Sequence, residues 1–330
     1  MIEGIAMLPD SFHSRAATWD DAQAVADLIN ACDIALTGEA ETDAHELHTD
    51  WQDSAADLEH GTWVVIATNG QLVGYESCEA PAESGRIFVD GYVHPEYIGQ
   101  GIGTFLLRQA ESRAHEHVAK YPAANQVVIH AGVYAHEDAA HRLFEAEGYH
   151  RIRRFWRMQI DMNEPPAAPI WPDGIQIRTY VQGQDDRAVY EAVDEAFQDH
   201  WGHYTRPYED WMRRMTEVGD FDPALWFLAI DSASGEIAGA SLCNYQNQKP
   251  WLRSLSVRRP WRRQGLGMAL LLHTFNEFYH RGYRTVGLGV DAQNITGATA
   301  LYERAGMHVD RAYDTFEKEL RAGIPAFKSE

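Results

Sequence analysis

The two halves of this 330-residue chain spell the same order of elements, and that internal repeat restricts the fold more than any other feature. Each half opens with a short strand and a helix with an acidic start, SRAATWDDAQAVADLINA at 14–31 and IRTYVQGQDDRAVYEAVDEAF at 177–197. An apolar strand led by tryptophan follows, TWVVIAT from Thr62 and LWFLAI from Leu225. The turns Asn69-Gly70 and Ser234-Gly235 then lead into second strands, QLVGYESC and EIAGASLC. Next come a strand, a glycine-rich turn and an apolar helix: RIFVDGYVHPEYIGQGIGTFLLRQA and LRSLSVRRPWRRQGLGMALLLHTF. Each half closes with an apolar strand, a helix ending at Gly148 or Gly306, and a last strand. Strands and helices alternate in this way in an α/β chain with a mixed sheet. The segment NEPPAAPIWPDG at 163–174 holds four prolines and reads as a linker. The expected organisation is a domain at 1–163, a linker at 164–174 and a domain at 175–330.

The glycine-rich turn carries the chemistry. In the second half it reads Arg262-Arg263-Gln264-Gly265-Leu266-Gly267, after a strand ending near Val257 and before an apolar helix with Met268, Leu270, Leu271 and Leu272. Glycines at a helix entry let the backbone approach an anion, and the first N–H groups of a helix lack internal partners. With the helix dipole they suit a pyrophosphate, and Arg262 and Arg263 would add charged donors. Neither copy has the lysine of a GxxxxGK[ST] loop or the three glycines of the dinucleotide fingerprint.

The strand, the Arg-x-x-Gly-x-Gly turn and the later GLGVDAQNITGATALYERAGM together resemble the GNAT superfamily of N-acetyltransferases. Two such domains in one chain resemble the mycothiol synthase group. The resemblance implies two tandem GNAT-like domains, each a mixed, mostly antiparallel sheet flanked by helices, with acetyl-CoA as acyl donor. It assigns the pantetheine arm to Leu255, Ser256 and Val257, and the pyrophosphate to Arg262, Arg263, Gln264, Gly265, Leu266, Gly267 and Met268. It puts Asn294 beside the pantetheine and makes Tyr302 the acid that protonates the departing thiolate. A thiolate of pKa about 8.5 can take a proton from a phenol, and backbone N–H groups can hold the oxyanion that forms when an amine attacks a thioester.

The first copy departs from this pattern. Ile98 stands where Arg262 stands, and aligning Gly148 with Gly306 sets Phe144 opposite Tyr302 and His136 opposite Asn294. Phenylalanine donates no proton. The first half is therefore expected to be degenerate, with a second CoA site at Val93, Gln100, Gly101, Ile102, Gly103 and Thr104, and the second half to be catalytic.

On the acceptor side, some GNAT relatives carry a basic Glu on the strand before the turn. Here Pro250 to Val257 contains no carboxylate. The segment AFQDHWGHYTRPYEDW at 196–211 offers Asp199, His200 and Trp201 as substrate-binding candidates, since histidine suits proton transfer near neutrality and tryptophan can face a cation. The net charge of −21 is uneven. Residues 1–165 hold 10 Lys and Arg against 27 Asp and Glu, whereas residues 166–330 hold 18 against 22. That field disfavours nucleic acid and anionic membranes and favours a cationic small-molecule amine as acceptor. Cys32, Cys78 and Cys243 form no CxxC, and the N-terminal stretch has no leader-like apolar region, so a cytoplasmic protein is expected. Eleven of the 16 histidines lie in the first half, but His136 and His141 are five apart, wrong for HExxH, and no metal is expected. The oligomeric state stays open. Two other functions fit the sequence: a non-catalytic acyl-CoA sensor or scaffold, and an acetyltransferase for protein N-termini or lysines.

Overall fold

A computed structural model describes residues 7–326 except 54–56, 82–84, 217–220, 247 and 295. The start of the N-terminal stretch, where no leader is expected, lies outside the described residues. The described chain divides into two compact units, one holding the residues up to Arg153 with residues 313–326, the other Arg154–Ala312.

The first unit runs β1 (Phe12–Arg15), α1 (Ala22–Thr37), α2 (Ala44–Asp53), β2 (Thr62–Ala67), β3 (Leu72–Glu79), β4 (Arg86–Val93), α3 (Ile102–His117), β5 (Val127–Tyr134) and α4 (Asp138–Ala146). The next strand, β6 (His150–Asp161), leads out of it. The second unit repeats the series as β7 (Ile175–Thr179), α5 (Asp186–Phe197), α6 (Tyr208–Thr216), β8 (Trp226–Asp231), β9 (Ile237–Gln246), β10 (Lys249–Val257), α7 (Leu266–His280), β11 (Thr285–Asp291) and α8 (Ala298–Arg304). The last strand is β12 (His308–Arg321).

The strand pairing within each unit is mixed, as the repeat implied. In the second unit β7, β8, β9 and β10 are neighbours in antiparallel pairs, and β10 pairs with β11 in parallel. The parallel pair requires a crossover, which α7 supplies. Residues Leu266, Leu270, Leu271, Phe275 and Phe278 of α7 recur at helical spacing and are buried. Phe275 and Phe278 join Leu225, Leu252, Val286 and Leu288 in the core. In the first unit β4 and β5 form the matching parallel pair, bridged by α3.

The closing strands are exchanged. Residues Phe155–Asp161 of β6 pair with β11 in the second unit. Residues Tyr313–Arg321 of β12 pair with β5 in the first. Phe316 of β12 is buried among Ile87, Ile129 and Tyr149, and Lys318 Nζ donates to Glu111 (2.6 Å) and to the Glu147 carbonyl (2.8 Å). The contiguous halves 1–163 and 175–330 expected from the repeat therefore differ from the compact units. Both closing strands have the same length class and patterning, so sequence order alone suggested that each stays with its own copy. Residues 164–172 carry no regular secondary structure.

A fragment ending at residue 163 lacks β12 and leaves the β5 edge and the Phe316 pocket open. Such a fragment is expected to aggregate on size-exclusion chromatography, as exposed strand edges do. A monomeric 1–163 fragment with a cooperative thermal transition would overturn the exchange.

Candidate active site

The site of the second unit begins where β10 and β11 part. Their parallel pairing covers only Trp251 with Gly287 and Leu252 with Leu288. Both strands continue, to Val257 and Asp291. Past Leu252, the backbone groups of β10 that face β11 have no ladder partner, so they are available to a ligand. At the same point β10 bulges: the register against β9 shifts between Leu252 and Ser254, setting Arg253 outside the ladder. Leu255 and Val257 face α7, packed with Leu266 and Leu270. The Ser256 hydroxyl donates to the Ala240 carbonyl at 3.4 Å.

The turn then forms an anion cradle. Gly265, the residue before α7, has φ +87°, and Arg263 has φ +62°. The first helical hydrogen bond is Ala269 N–H to the Gly265 carbonyl, at 3.0 Å. No hydrogen bond from the backbone N–H groups of Arg263 through Met268 is found among the described residues. Alternating left-handed and ordinary backbone with a helix N-terminus behind it makes a concave nest of donors, which suits a pyrophosphate. Gly267 has a second task, since a Cβ there would sit 3.3 Å from Leu301 of α8.

Arg262 is used differently from the expectation. Its Nε donates to the Val257 carbonyl (3.0 Å), and its terminal nitrogens donate to the Ala196 carbonyl (2.9 Å) and to Asp199 (3.1 Å). It braces the strand end against α5 and the loop after it instead of offering its side chain to phosphate. Asp199 is spoken for in the same way. Hydrogen bonds from Arg259 first and Arg262 second hold its carboxyl well below the usual range. The structure thus makes Asp199 a partner of two arginines and not the free carboxylate expected to meet an ammonium. Arg263, by contrast, has no ion pair or hydrogen bond among the described residues and lines the cavity.

The cavity encloses about 810 Å³, and all of its lining residues belong to the second unit. Every candidate of the second half lines it except Gln264: Leu255, Ser256, Val257, Arg262, Arg263, Gly265, Leu266, Gly267, Met268, Asn294, Tyr302, Asp199, His200 and Trp201. The Gln264 side chain donates to the Pro260 carbonyl at 3.1 Å. Tyr302 is 8% exposed, and burial pushes its phenol up to about 12. The phenol is therefore protonated throughout the neutral range, and its hydroxyl has no hydrogen-bond partner among the described residues. The Asn294 side-chain oxygen accepts from Thr296 N–H (2.8 Å), which shapes the loop ahead of α8. The His200 ring packs on Phe197 at a tilt of 36°, with ring centroids 4.4 Å apart. Burial first, and then the Arg262 charge, lower its pKa below the usual imidazole value, so the ring is neutral at pH 7. Trp201 lies 6.0 Å from Phe155.

Phe155 and Arg253 are among the lining residues that the sequence reading did not single out. Phe155 belongs to the closing strand that follows the first copy, and only the exchange brings it here. Arg253 sits on β10, and its place in the cavity follows from the bulge.

The first unit keeps the cradle. Gly99 and Gly101 have φ of +81° and +85°, and no backbone hydrogen bond is made by the N–H groups of Gly99 through Thr104 among the described residues. The β4–β5 pairing likewise ends at Val89 with Ala131 while β4 runs on to Val93. The counterpart of Tyr302, Phe144, stacks on Phe316 and packs against Tyr149. His136 Nε2 meets the Leu36 carbonyl at 3.2 Å. Among the described residues, no three His, Cys, Asp or Glu side chains are grouped to hold a metal, and no helix is long and apolar enough to cross a membrane.

The family model of the acetyltransferase (GNAT) family matches residues 23–149 and again residues 187–307. The chain belongs to the GNAT family. It is an acetyltransferase, and acetyl-CoA is its acyl donor. Among curated GNAT relatives, the mycothiol acetyltransferase of Thermobispora bispora is 32% identical over 74% of this chain and 79% of its own length. That of Salinispora arenicola is 30% identical over 90% of this chain and 94% of its own. Among solved structures, a GCN5-related N-acetyltransferase from Sphaerobacter thermophilus is 41% identical, covers 97% of this chain and 99% of its own, and superposes with a TM-score of 0.86. A tandem GNAT protein from the clavulanic acid biosynthesis pathway, at 18% identity and a TM-score of 0.72, shares the fold across 94% of this chain.

The turn geometry predicts opposite effects at Arg263. An arginine at positive φ is strained by about 1 kcal/mol relative to glycine. Arg263→Gly is expected to leave the melting temperature unchanged or higher while weakening acetyl-CoA binding several-fold by calorimetry. A lower melting temperature with unchanged affinity would show that the side chain serves the fold.

Proposed function

We propose that the second unit is the transfer centre and that it acetylates the amine of a small molecule by direct attack in a ternary complex. The observation that carries this reading is the Tyr302 phenol: its residue largely buried, its hydroxyl protonated, on the cavity wall and without a hydrogen-bond partner among the described residues. The acetyl-pantetheine arm lies along the open edge of β10 at Leu255, Ser256 and Val257, and its pyrophosphate lies on the N–H groups of the 263–268 turn. Arg262 supports the turn from behind. The acceptor nitrogen attacks the thioester carbonyl carbon, and backbone N–H groups of the β10 edge hold the oxyanion. The C–S bond breaks, and the thiolate takes the Tyr302 proton. The proton shed by the nitrogen goes to His200, whose lowered pKa keeps it neutral and able to accept. The named mycothiol acetyltransferases, which match most of this chain, support a small-molecule acceptor.

Tyr302→Phe is expected to lower kcat by about 10²-fold or more with acetyl-CoA affinity intact, read as free CoA release over a panel of amines. Full turnover in Tyr302→Phe would remove the acid assignment. A base is active when deprotonated, so with its pKa lowered by burial and the Arg262 charge the His200 contribution is expected to persist through the ordinary imidazole range and to fade only at more acidic pH. His200→Gln is expected to abolish that acid limb of the kcat/KM profile.

A second reading concerns the first unit, whose N–H cradle is intact. Its Ile98 replaces an arginine that acts as a brace and not as a phosphate donor, so the exchange does not remove an anion ligand. The cradle at Gln100, Gly101, Ile102, Gly103 and Thr104, with Val93 at the strand end, binds a second CoA without transferring its acyl group, because Phe144 has no proton to give. Calorimetry is expected to show two CoA equivalents per chain, reduced to one in Gly101→Val. A single equivalent in the unaltered protein would make the first cradle purely structural.

A further inference from the structure

Among the described residues, nothing neutralises the cationic group of Arg253. It occupies the bulge where β10 loses register with β9, and its side chain lines the cavity wall alongside Ser254, Trp201 and Tyr302. No hydrogen bond or ion pair to it exists among the described residues. It is solvent-accessible from the cavity, yet protein surrounds it: burial presses its pKa down, and the Arg214 and Arg206 charges press it further. Arg206 precedes α6 and Arg214 lies within it, and with Arg213 they have Asp210 as a shared carboxylate, at 3.7 Å from Arg206, 2.7 Å from Arg213 and 3.4 Å from Arg214. The Arg214 Nε is buried without a hydrogen bond. A chain of net charge −21 has thus gathered positive charge on one side of its acyl-transfer cavity.

Partly desolvating a guanidinium beside two like charges is unfavourable unless an anion joins them. Acetyl-CoA does not fill that need if its pyrophosphate lies at the 263–268 cradle, ten residues further along the chain and past the open edge of β10. With the pantetheine arm placed along Leu255 to Val257 as proposed, the unmatched charge falls beyond its acyl end, toward the acceptor.

We infer that the acceptor carries an anionic group, a carboxylate or a phosphate ester, close to its reacting amine, and that Arg253 is the specificity-determining residue that pairs with it. This rests on the reading of the second unit as the transfer centre. It also sharpens the expectation of a cationic acceptor: the ammonium suited to the acidic chain is joined by a negative group, so the free acceptor is zwitterionic. Arg253 contributes two parallel N–H donors to such a group, and Arg206 and Arg214 contribute field. The anion is held while the amine, once deprotonated, remains free to attack.

The test uses the full-length protein loaded with acetyl-CoA, and matched probes titrated by calorimetry. One set pairs α-amino acids with their carboxamides; another pairs O-phosphoethanolamine with ethanolamine. At least one anionic member is expected to bind about tenfold or more tightly than its neutral partner, the size of one charge-assisted contact. The first set succeeding alone identifies a carboxylate, and the second alone a phosphate. Arg253→Gln is expected to erase the preference and Arg253→Lys to restore part of it, while a separate titration with acetyl-CoA gives the unaltered affinity. Equal binding of both members of every pair, absence of binding by all of them, or a preference that persists in Arg253→Gln would overturn the inference. Failure of acetyl-CoA itself to bind, or turnover that survives Tyr302→Phe, would instead overturn the reading of the transfer centre.

Discussion

Everything in the site of the second unit depends on two parallel strands that stop pairing. Beyond Leu252 and Leu288 the ladder is absent, although both strands remain extended. A sheet that opens in this way leaves polar backbone groups without partners, which is costly unless a ligand or solvent satisfies them. The opening is held by packing on either side. Helix α7 presses Leu266 and Leu270 against Leu255 and Val257. The Trp251 indole lies over β11, within 2.7 Å of where a Cβ on Gly287 would be, and the Arg157 guanidinium sits 5.2 Å above it. The same opening places the N-terminus of α7 at one end of the groove and Tyr302 of α8 on its wall.

Duplication makes the comparison between the copies informative. The backbone devices, a split parallel pair and a cradle of N–H groups before a helix, occur in both units. The side chains differ. Tyr302 has a hydroxyl on a cavity, and Phe144 has a ring stacked on Phe316. Arg262 ties a strand end to α5, and Ile98 is 51% exposed. Backbone geometry survives such substitutions because glycine conformations and helix termini maintain it, whereas proton transfer depends on individual atoms.

Much of the site was legible because its signals are local. The glycines of 262–267, the helix after them and the LYE segment with Tyr302 lie within short stretches whose spacing follows helix and turn geometry. What was not legible depends on distant partners. The bond between Arg262 and Asp199 spans 63 positions, so an arginine beside a phosphate turn read as a phosphate ligand and an aspartate in an acceptor loop read as free. The Arg253 role depends on a bulge, and one extra residue in a strand leaves no mark in an apolar pattern.

The sequence by itself determined that there are two copies of a mixed α/β unit, that each has a glycine-rich helix entry of a kind that suits an anion, and that Tyr302 of the second stands where the first has Phe144. Periodicity, turn chemistry and the identity of one side chain are enough for that. Tertiary structure decided which strand closes which sheet, and with it that Phe155 lines the second cavity. It also decided which arginines are paired with carboxylates and which one lines the cavity without a partner among the described residues. Those choices are made by strand pairing and charge pairing between residues far apart in the chain, where several partners of the same chemical type compete and only the folded geometry selects among them.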